Sequence, residues 1–157
     1  MSDWFTVKIK YLKQLDNGSI TSKSEAYMLQ SLSFTEAEAR LQGILEEYIS
    51  EYNLLTVAKT NIQDVIIDEA QEFFYKIKVS YISADPDSGK EKKINENYMI
   101  QADGLKEAYE KMDVRLQGSI VDWEIPSISK SNIIDVFPYI EETIVEKKEE
   151  EEETAEV

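Results

Sequence analysis

Glu25-Ala-Tyr-Met-Leu-Gln30 returns 71 residues later as Glu96-Asn-Tyr-Met-Ile-Gln101. Downstream, Val57-Ala-Lys-Thr-Asn-Ile-Gln-Asp-Val65 returns as Ile128-Ser-Lys-Ser-Asn-Ile-Ile-Asp-Val136 at the same offset. Between them, Phe34-Thr-Glu-Ala-Glu-Ala-Arg-Leu41 matches Leu105-Lys-Glu-Ala-Tyr-Glu-Lys-Met112. Upstream, Trp4-Phe-Thr-Val-Lys-Ile-Lys-Tyr11 matches Phe74-Tyr-Lys-Ile-Lys-Val-Ser-Tyr81 at an offset of 70. The one-residue change falls in a hairpin loop, where insertions are tolerated. Four segments in one order identify an internal duplication, with copies over residues 4–67 and 73–137.

Each copy reads as β-β-α-β. Val7, Ile9 and Tyr11 alternate with Thr6, Lys8 and Lys10, and Ile77, Val79 and Tyr81 alternate with Lys76, Lys78 and Ser80, which is the period of a half-buried strand. Asp16-Asn-Gly18 and Asp85-Pro-Asp-Ser-Gly89 carry turn chemistry, so a second strand follows over about 22–31 and 92–102. Ser33-Phe-Thr-Glu36 has the spacing of a capping box, and Ala37, Leu41, Ile44, Leu45, Tyr48 and Tyr52 keep one helical face apolar. In the second copy Asp103 is the expected cap, Ala108, Met112 and Leu116 the stripe, and Gly118 the stop. A last strand is expected over 54–67 and 124–137. The expected fold is α+β: six mostly antiparallel strands and two helices, in two copies about a pseudo-twofold axis.

A length of 157 residues favours one domain, placed at 1–140. The join Ile67-Asp-Glu-Ala-Gln-Glu72 is short and lacks the Gly, Pro or Ser of a linker. Residues 141–157 hold nine acids against two lysines and five consecutive glutamates, and they follow Pro138. They read as a disordered acidic tail, either solubilising or docking on a basic surface. The whole chain has a formal charge of −15, with no Cys and no His. Disulfides, thiolate metal sites and the commonest general base are thereby excluded. No nucleotide-binding glycine motif or nucleophile elbow is present. No leader and no apolar run of membrane-spanning length is visible, so the expected location is cytoplasmic, with no membrane partner. The expectation is a protein that is not an enzyme and takes no cofactor.

The polar positions shared by both copies are candidates for a site. Glu25/Glu96 and Gln30/Gln101 lie in the second strand, and Lys59/Lys130, Asn61/Asn132 and Asp64/Asp135 in the third. The plain reading makes Asn a bend, Asp a cap for a nearby backbone donor, and Lys–Glu a cross-strand pair. The functional reading is a pair of symmetric polar patches, or oxygen ligands for a hard cation.

Aromatic and basic residues also interleave. Trp4, Phe5, Lys8 and Lys10 open the first copy, and Phe74, Tyr75, Lys76 and Lys78 the second. Rings that stack on bases beside lysines that follow phosphates are the means by which sheets hold single strands. This suggests a weak single-stranded nucleic-acid binder with an acidic competitor tail, although such proteins are usually basic overall. The alternatives are a protein–protein adaptor or homo-oligomeric module, and a small-ligand module in a cleft between the copies.

The duplicated Tyr-Met-(Leu/Ile)-Gln and Lys-X-Asn-Ile-X-Asp-Val elements, with the opening Trp4–Tyr11 segment, resemble an uncharacterised family of small proteins from Bacteroidetes bacteria and their phages. The resemblance covers residues 1 to about 140. It implies an intracellular bacterial or phage protein and transfers no activity and no site residue.

Overall fold

The computed structural model describes residues 2–139; the segment read as a disordered tail, 141–157, lies outside them. The elements run β1 Asp3–Gln14, β2 Ile20–Ser31, α1 Phe34–Leu45, β3 Asn53–Lys59 and β4 Ile62–Ile66. The second copy gives β5 Phe73–Ala84, β6 Glu91–Ala102, α2 Leu105–Leu116, β7 Asp122–Lys130 and β8 Ile133–Phe137. The chain is α+β, with two helices and two mostly antiparallel four-stranded sheets. Both hairpin turns place a glycine in the left-handed region, Gly18 at φ +86° and Gly89 at φ +69°, where a side chain would be strained.

The third strand of each copy departs from expectation, because it is broken. At Thr60-Asn61 and Ser131-Asn132 the hydroxyl of the first residue accepts the N–H two residues on, Ile62 at 3.3 Å and Ile133 at 3.2 Å. Such a local side-chain bond competes with the ladder and turns the chain. After the turn each chain segment joins the sheet of the other copy. One sheet has the order β3-β1-β2-β8, the other β4-β6-β5-β7. The copies have therefore exchanged their last strands. β4 lies parallel to β6, while β1–β2 and β5–β6 are antiparallel hairpins. The compact units follow the exchange rather than the repeats: among the described residues one holds 2–59 and 135–139, the other Thr60–Ile134.

Each unit has its own core under its helix. In the first, Phe5, Val7, Ile9, Tyr27 and Leu29 pack against Ala37, Leu41 and Leu45. In the second, Tyr75, Ile77, Val79, Tyr98, Ile100 and Ala102 pack against Ala108, Met112 and Leu116. Leu41 and Met112 occupy matching buried sites, as the shared stripe predicts. The exchanged strands contribute matching residues, with Phe137 half-buried against the first core and Ile66 against the second.

The helix ends hold two further corrections. Ser33 caps α1 as expected, accepting the Glu36 N–H at 3.1 Å. In α2 the N-cap is Gly104 rather than Asp103, and the Asp103 N–H instead donates to the Glu107 carboxylate at 2.7 Å. α1 stops at Leu45, so Tyr48 leaves the predicted stripe and is 80% exposed. α2 ends at Leu116 with Gln117 as its C-cap, so Gly118 stands just past the helix end, as the sequence predicts. Among the described residues no helix is long and apolar enough to cross a membrane.

Candidate binding surfaces

The four rings expected to stack on bases are buried. Phe5 and Tyr75 belong to the cores beneath α1 and α2. Trp4 and Phe74 point to the opposite sheet faces and keep only 6% and 1% of their surface. None of them presents an open ring, because at this end β1 and β5 are covered on both faces. Lys8, Lys10 and Lys76 are exposed and Lys78 is half-buried.

The lysines share a setting that composition alone conceals. On β1, the face turned away from α1 carries Trp4, Thr6, Lys8, Lys10, Leu12 and Gln14. Across from them on β2 lie Gln30, Met28, Ala26, Ser24, Ser22 and Ile20, and on β3 Ala58, Thr56 and Asn53. That face of three strands holds no acid, in a chain of charge −15. In the second unit Lys76 and Lys78 lie opposite Met99 and Asn97 on one side and Ser129 and Ser127 on the other. Acids begin one pair farther along, where Glu124 faces Ser80 and pairs with Lys93 at 3.0 Å.

The repeat-shared polar residues are engaged within their own units. Lys59 pairs with Asp3 at 3.2 Å, and Lys130 sits 3.8 Å above the Phe73 ring. Asp64 and Asp135 each accept the next backbone N–H, at 2.9 and 2.8 Å. Asp64 also takes Arg115 at 2.6 Å. Asn61 and Asn132 mark the bends that lead into the exchanged strands. Among the described residues no group of three acids gathers as a metal would need.

Glu25 accepts from Tyr11 at 2.9 Å, from the Tyr27 hydroxyl, and pairs with Lys23 at 3.3 Å. Burial pushes its carboxyl up, but the two hydroxyls and Lys23 outweigh burial and hold it below the usual carboxylate range. Burial first, and the Glu25 bond second, push the Tyr27 hydroxyl well above its ordinary value. In the second unit Tyr98 donates to Glu96 at 2.7 Å and lies 3.1 Å from the Tyr81 hydroxyl. Burial, then these two partners, raise Tyr98 in the same direction.

Gln30 and Gln101 fasten the exchanged strands. Gln101 Oε1 accepts the Asp68 N–H at 3.1 Å, and its amide donates to the Gln71 carbonyl at 2.7 Å. Lys111 joins the Gln101 carbonyl, Asp68 and Glu107. In the first unit the equivalent set is Gln30, Arg40 and Glu36 around Tyr139. Gln30 Oε1 accepts the Tyr139 N–H at 2.9 Å, Arg40 donates to the Gln30 carbonyl and lies 4.5 Å over the Tyr139 ring, and the Tyr139 hydroxyl donates to Glu36.

One open groove stands out, in the first unit. β3 pairs with β1 only as far as Asn53 opposite Lys10, although β1 continues to Gln14. Beside that unpaired edge, cavities of about 380 Å³ each open between Lys10–Gln14 and the segment Tyr48–Asn53. Leu12 on this arm is 73% exposed, with Leu15, Ile20 and Tyr48 also exposed. Nothing in the hydrophobic pattern singles out this groove. The only hint is that Pro126 of the second copy is matched by Leu55 of the first.

No curated protein and no solved structure matches the chain. Residues 3–139, both copies with their exchanged strands, match the family model described as a domain of unknown function, DUF4494, and the chain belongs to that family.

Proposed function

We propose that this is a non-enzymatic adaptor that binds a protein partner on the outer arm of the β1–β2 hairpin. The observation that carries this reading is the unpaired distal edge of β1, flanked by an open groove and by exposed Leu12, Ile20 and Tyr48. Unpaired strand edges and clustered exposed apolar side chains are the usual marks of a protein-binding surface. The test places a photo-crosslinking residue at Leu12, at Tyr48 and, as an equally exposed control, at Val114, in cells expressing the full chain. Discrete protein adducts from the first two positions and none from Val114 support the reading. Adducts that are equal at all three sites, or that contain only nucleic acid, overturn it.

A second reading, a weak binder of single-stranded nucleic acid, is favoured by one observation, the acid-free lysine face around Lys8 and Lys10. With the rings buried, such binding would run through phosphates alone. A location in the cytoplasm and an origin in bacteria or phages belong to the same proposal.

A further inference from the structure

The contacts that seat β8 do not depend on the chain it comes from. β8 lies beside β2, and the Phe137 ring stacks on the Tyr27 ring with centroids 6.0 Å apart. Just past the strand, Tyr139 is held by Gln30, Glu36 and Arg40. All four acceptors belong to β2 and α1, and Gln30 is 109 positions from Tyr139. β4 carries the same Asn-Ile-X-Asp-Val pattern and takes the same place beside β6, with Gln101 in the role of Gln30. Each edge thus selects a strand by its pattern, and any strand with that pattern fits.

The connection that tethers β8 is short. Ser131 still donates its N–H to the Phe74 carbonyl of β5 at 2.8 Å, and β8 begins at Ile133. Asn132 alone lies between them, and it is exposed. The Ser131 hydroxyl accepts the Ile133 N–H at 3.2 Å, the long end of the ordinary range. Among the described residues only Gly18 and Gly89 have positive φ, so the bend asks nothing of Asn132 that an extended strand forbids. With the turn open, β7 and β8 run on as one strand and β8 is offered to a second molecule. A hinge this short is the usual setting for exchange between identical chains.

We propose that two molecules of the chain pair by exchanging β8, each strand seating on β2 of the other molecule with Phe137 against Tyr27 and Tyr139 in the Gln30 clasp. This goes beyond the adaptor reading and does not rest on it. The closed and exchanged forms make the same contacts around β8, so the balance lies with the tether and the turn. The tether favours the closed form with an effective concentration on the order of 1 mM. The exchanged dimer therefore gains ground as the chain concentration approaches that value, and a change that straightens Asn132 moves the balance toward it.

The test uses the full chain in salt of about 0.3 M, which screens the repulsion between two molecules of charge −15. Light scattering after size exclusion gives the mass, and circular dichroism reports the fold. The unaltered chain should be monomeric at about 10 µM and show a measurable dimer fraction at about 1 mM. Ser131→Val with Asn132→Val removes the hydroxyl acceptor and favours extension, and should lower the dimer dissociation constant by roughly tenfold or more. Two glycines inserted between Asn132 and Ile133 relax the turn and should keep the chain monomeric at about 1 mM. In a dimer mixed from isotope-labelled and unlabelled molecules, filtered NOEs should join Tyr27 of one to Phe137 of the other. The proposal is overturned by an unaltered chain that stays monomeric throughout, or by a folded double-valine variant that does so. A glycine insertion that leaves the dimer unchanged, or a dimer without Tyr27–Phe137 contacts between molecules, overturns it equally. If the double-valine variant does not fold, the unaltered chain and the glycine insertion decide the matter. Dimers joined through the hairpin arm would keep the Tyr27–Phe137 contact within each molecule, and so count against exchange.

Discussion

Gln30 and Tyr139 lie 109 residues apart and are joined by a 2.9 Å bond from the Tyr139 N–H to the Gln30 side chain. The same bond recurs 71 positions away between Gln101 and Asp68, at 3.1 Å. Each glutamine holds the first residues after an exchanged strand, and a basic residue on the helix, Arg40 or Lys111, completes the clasp. Gln101→Leu removes both partners of two backbone groups at a buried site. It should cost about 1–3 kcal/mol, the usual penalty for leaving buried polar groups unmatched. Denaturant melts measure the cost. Amide exchange should show protection lost first in β4, and an even loss across the second unit would refute the clasp.

The two helices anchor their units through matching residues. Leu41→Ala and Met112→Ala each empty a fully buried site and should cost about 2–5 kcal/mol. Tyr48→Ala should fall within about 0.5 kcal/mol, since α1 ends before it and the ring is in solvent. A large loss at Tyr48 would mean that the apolar stripe continues past Leu45.

Leu55 and Pro126 are equivalent positions, and both fall at the ladder irregularity of an edge strand, between Lys8 and Ile9 in one sheet and between Lys78 and Ser80 in the other. Proline is accepted in sheets at such edge bulges. Leu55→Pro should therefore shift stability by less than about 1 kcal/mol. Ile9→Pro, in the middle of the sheet, should prevent folding. A collapse of Leu55→Pro would show that the two bulges differ in backbone.

Much of this architecture is legible in the residues. The alternation of Val7, Ile9 and Tyr11, the Asn17-Gly18 turn, and Ser33 three residues before Glu36 name β1, its hairpin and the start of α1. The exchange is not legible. Thr60-Asn61 signals a bend, but which sheet receives Ile62–Ile66 depends on pairing with β6, a non-local choice that no local pattern encodes. The rings misled for a related reason. Alternation assigns Trp4 and Phe74 to an open face only if one face of the strand is open, and here both faces are buried. The groove beside β1 was hidden because Tyr48 and Tyr52 read as the continuation of one apolar helical face, yet α1 ends at Leu45 and both lie beyond it.

Titration separates acid from alkaline behaviour. The folded state holds Glu25 ionised below its ordinary value, so its contribution is present above the unfolded carboxylate range and is lost as pH falls through the lower folded value. Tyr139 is pushed up to about 12, first by burial and then by its bond to Glu36, and Tyr27 and Tyr98 are also raised. A raised tyrosine favours folding below its unfolded value near 10 and loses that contribution as pH climbs toward the folded value. Stability should therefore hold from neutral pH to about 10 and decline between 10 and 12. Tyr139→Phe should flatten that decline in part, followed by circular dichroism melts against pH. Tyrosinate absorbance that rises in a single step near 10 would contradict the shifts.

Nucleic-acid binding, if it runs through the lysine faces, has a signature of its own. Four lysines, Lys8, Lys10, Lys76 and Lys78, set the upper limit on phosphate contacts from these faces. For a single strand the slope of log K against log salt should then be no steeper than about −3. Trp4 is buried, so its emission should stay unchanged on binding, whereas stacking would quench it. Replacing the four lysines by Gln should abolish binding and leave the melting curve intact, because Lys8, Lys10 and Lys76 are exposed and alternate with the core residues Val7, Ile9 and Ile77. Fluorescence anisotropy of a labelled oligonucleotide at two salt concentrations measures the slope. If the nine acids of residues 141–157 compete for the same faces, ending the chain at Tyr139 should raise affinity, and the four-lysine variant should not share the gain. Failure of the shortened chain to bind at low salt would remove this reading and leave the hairpin arm as the working surface.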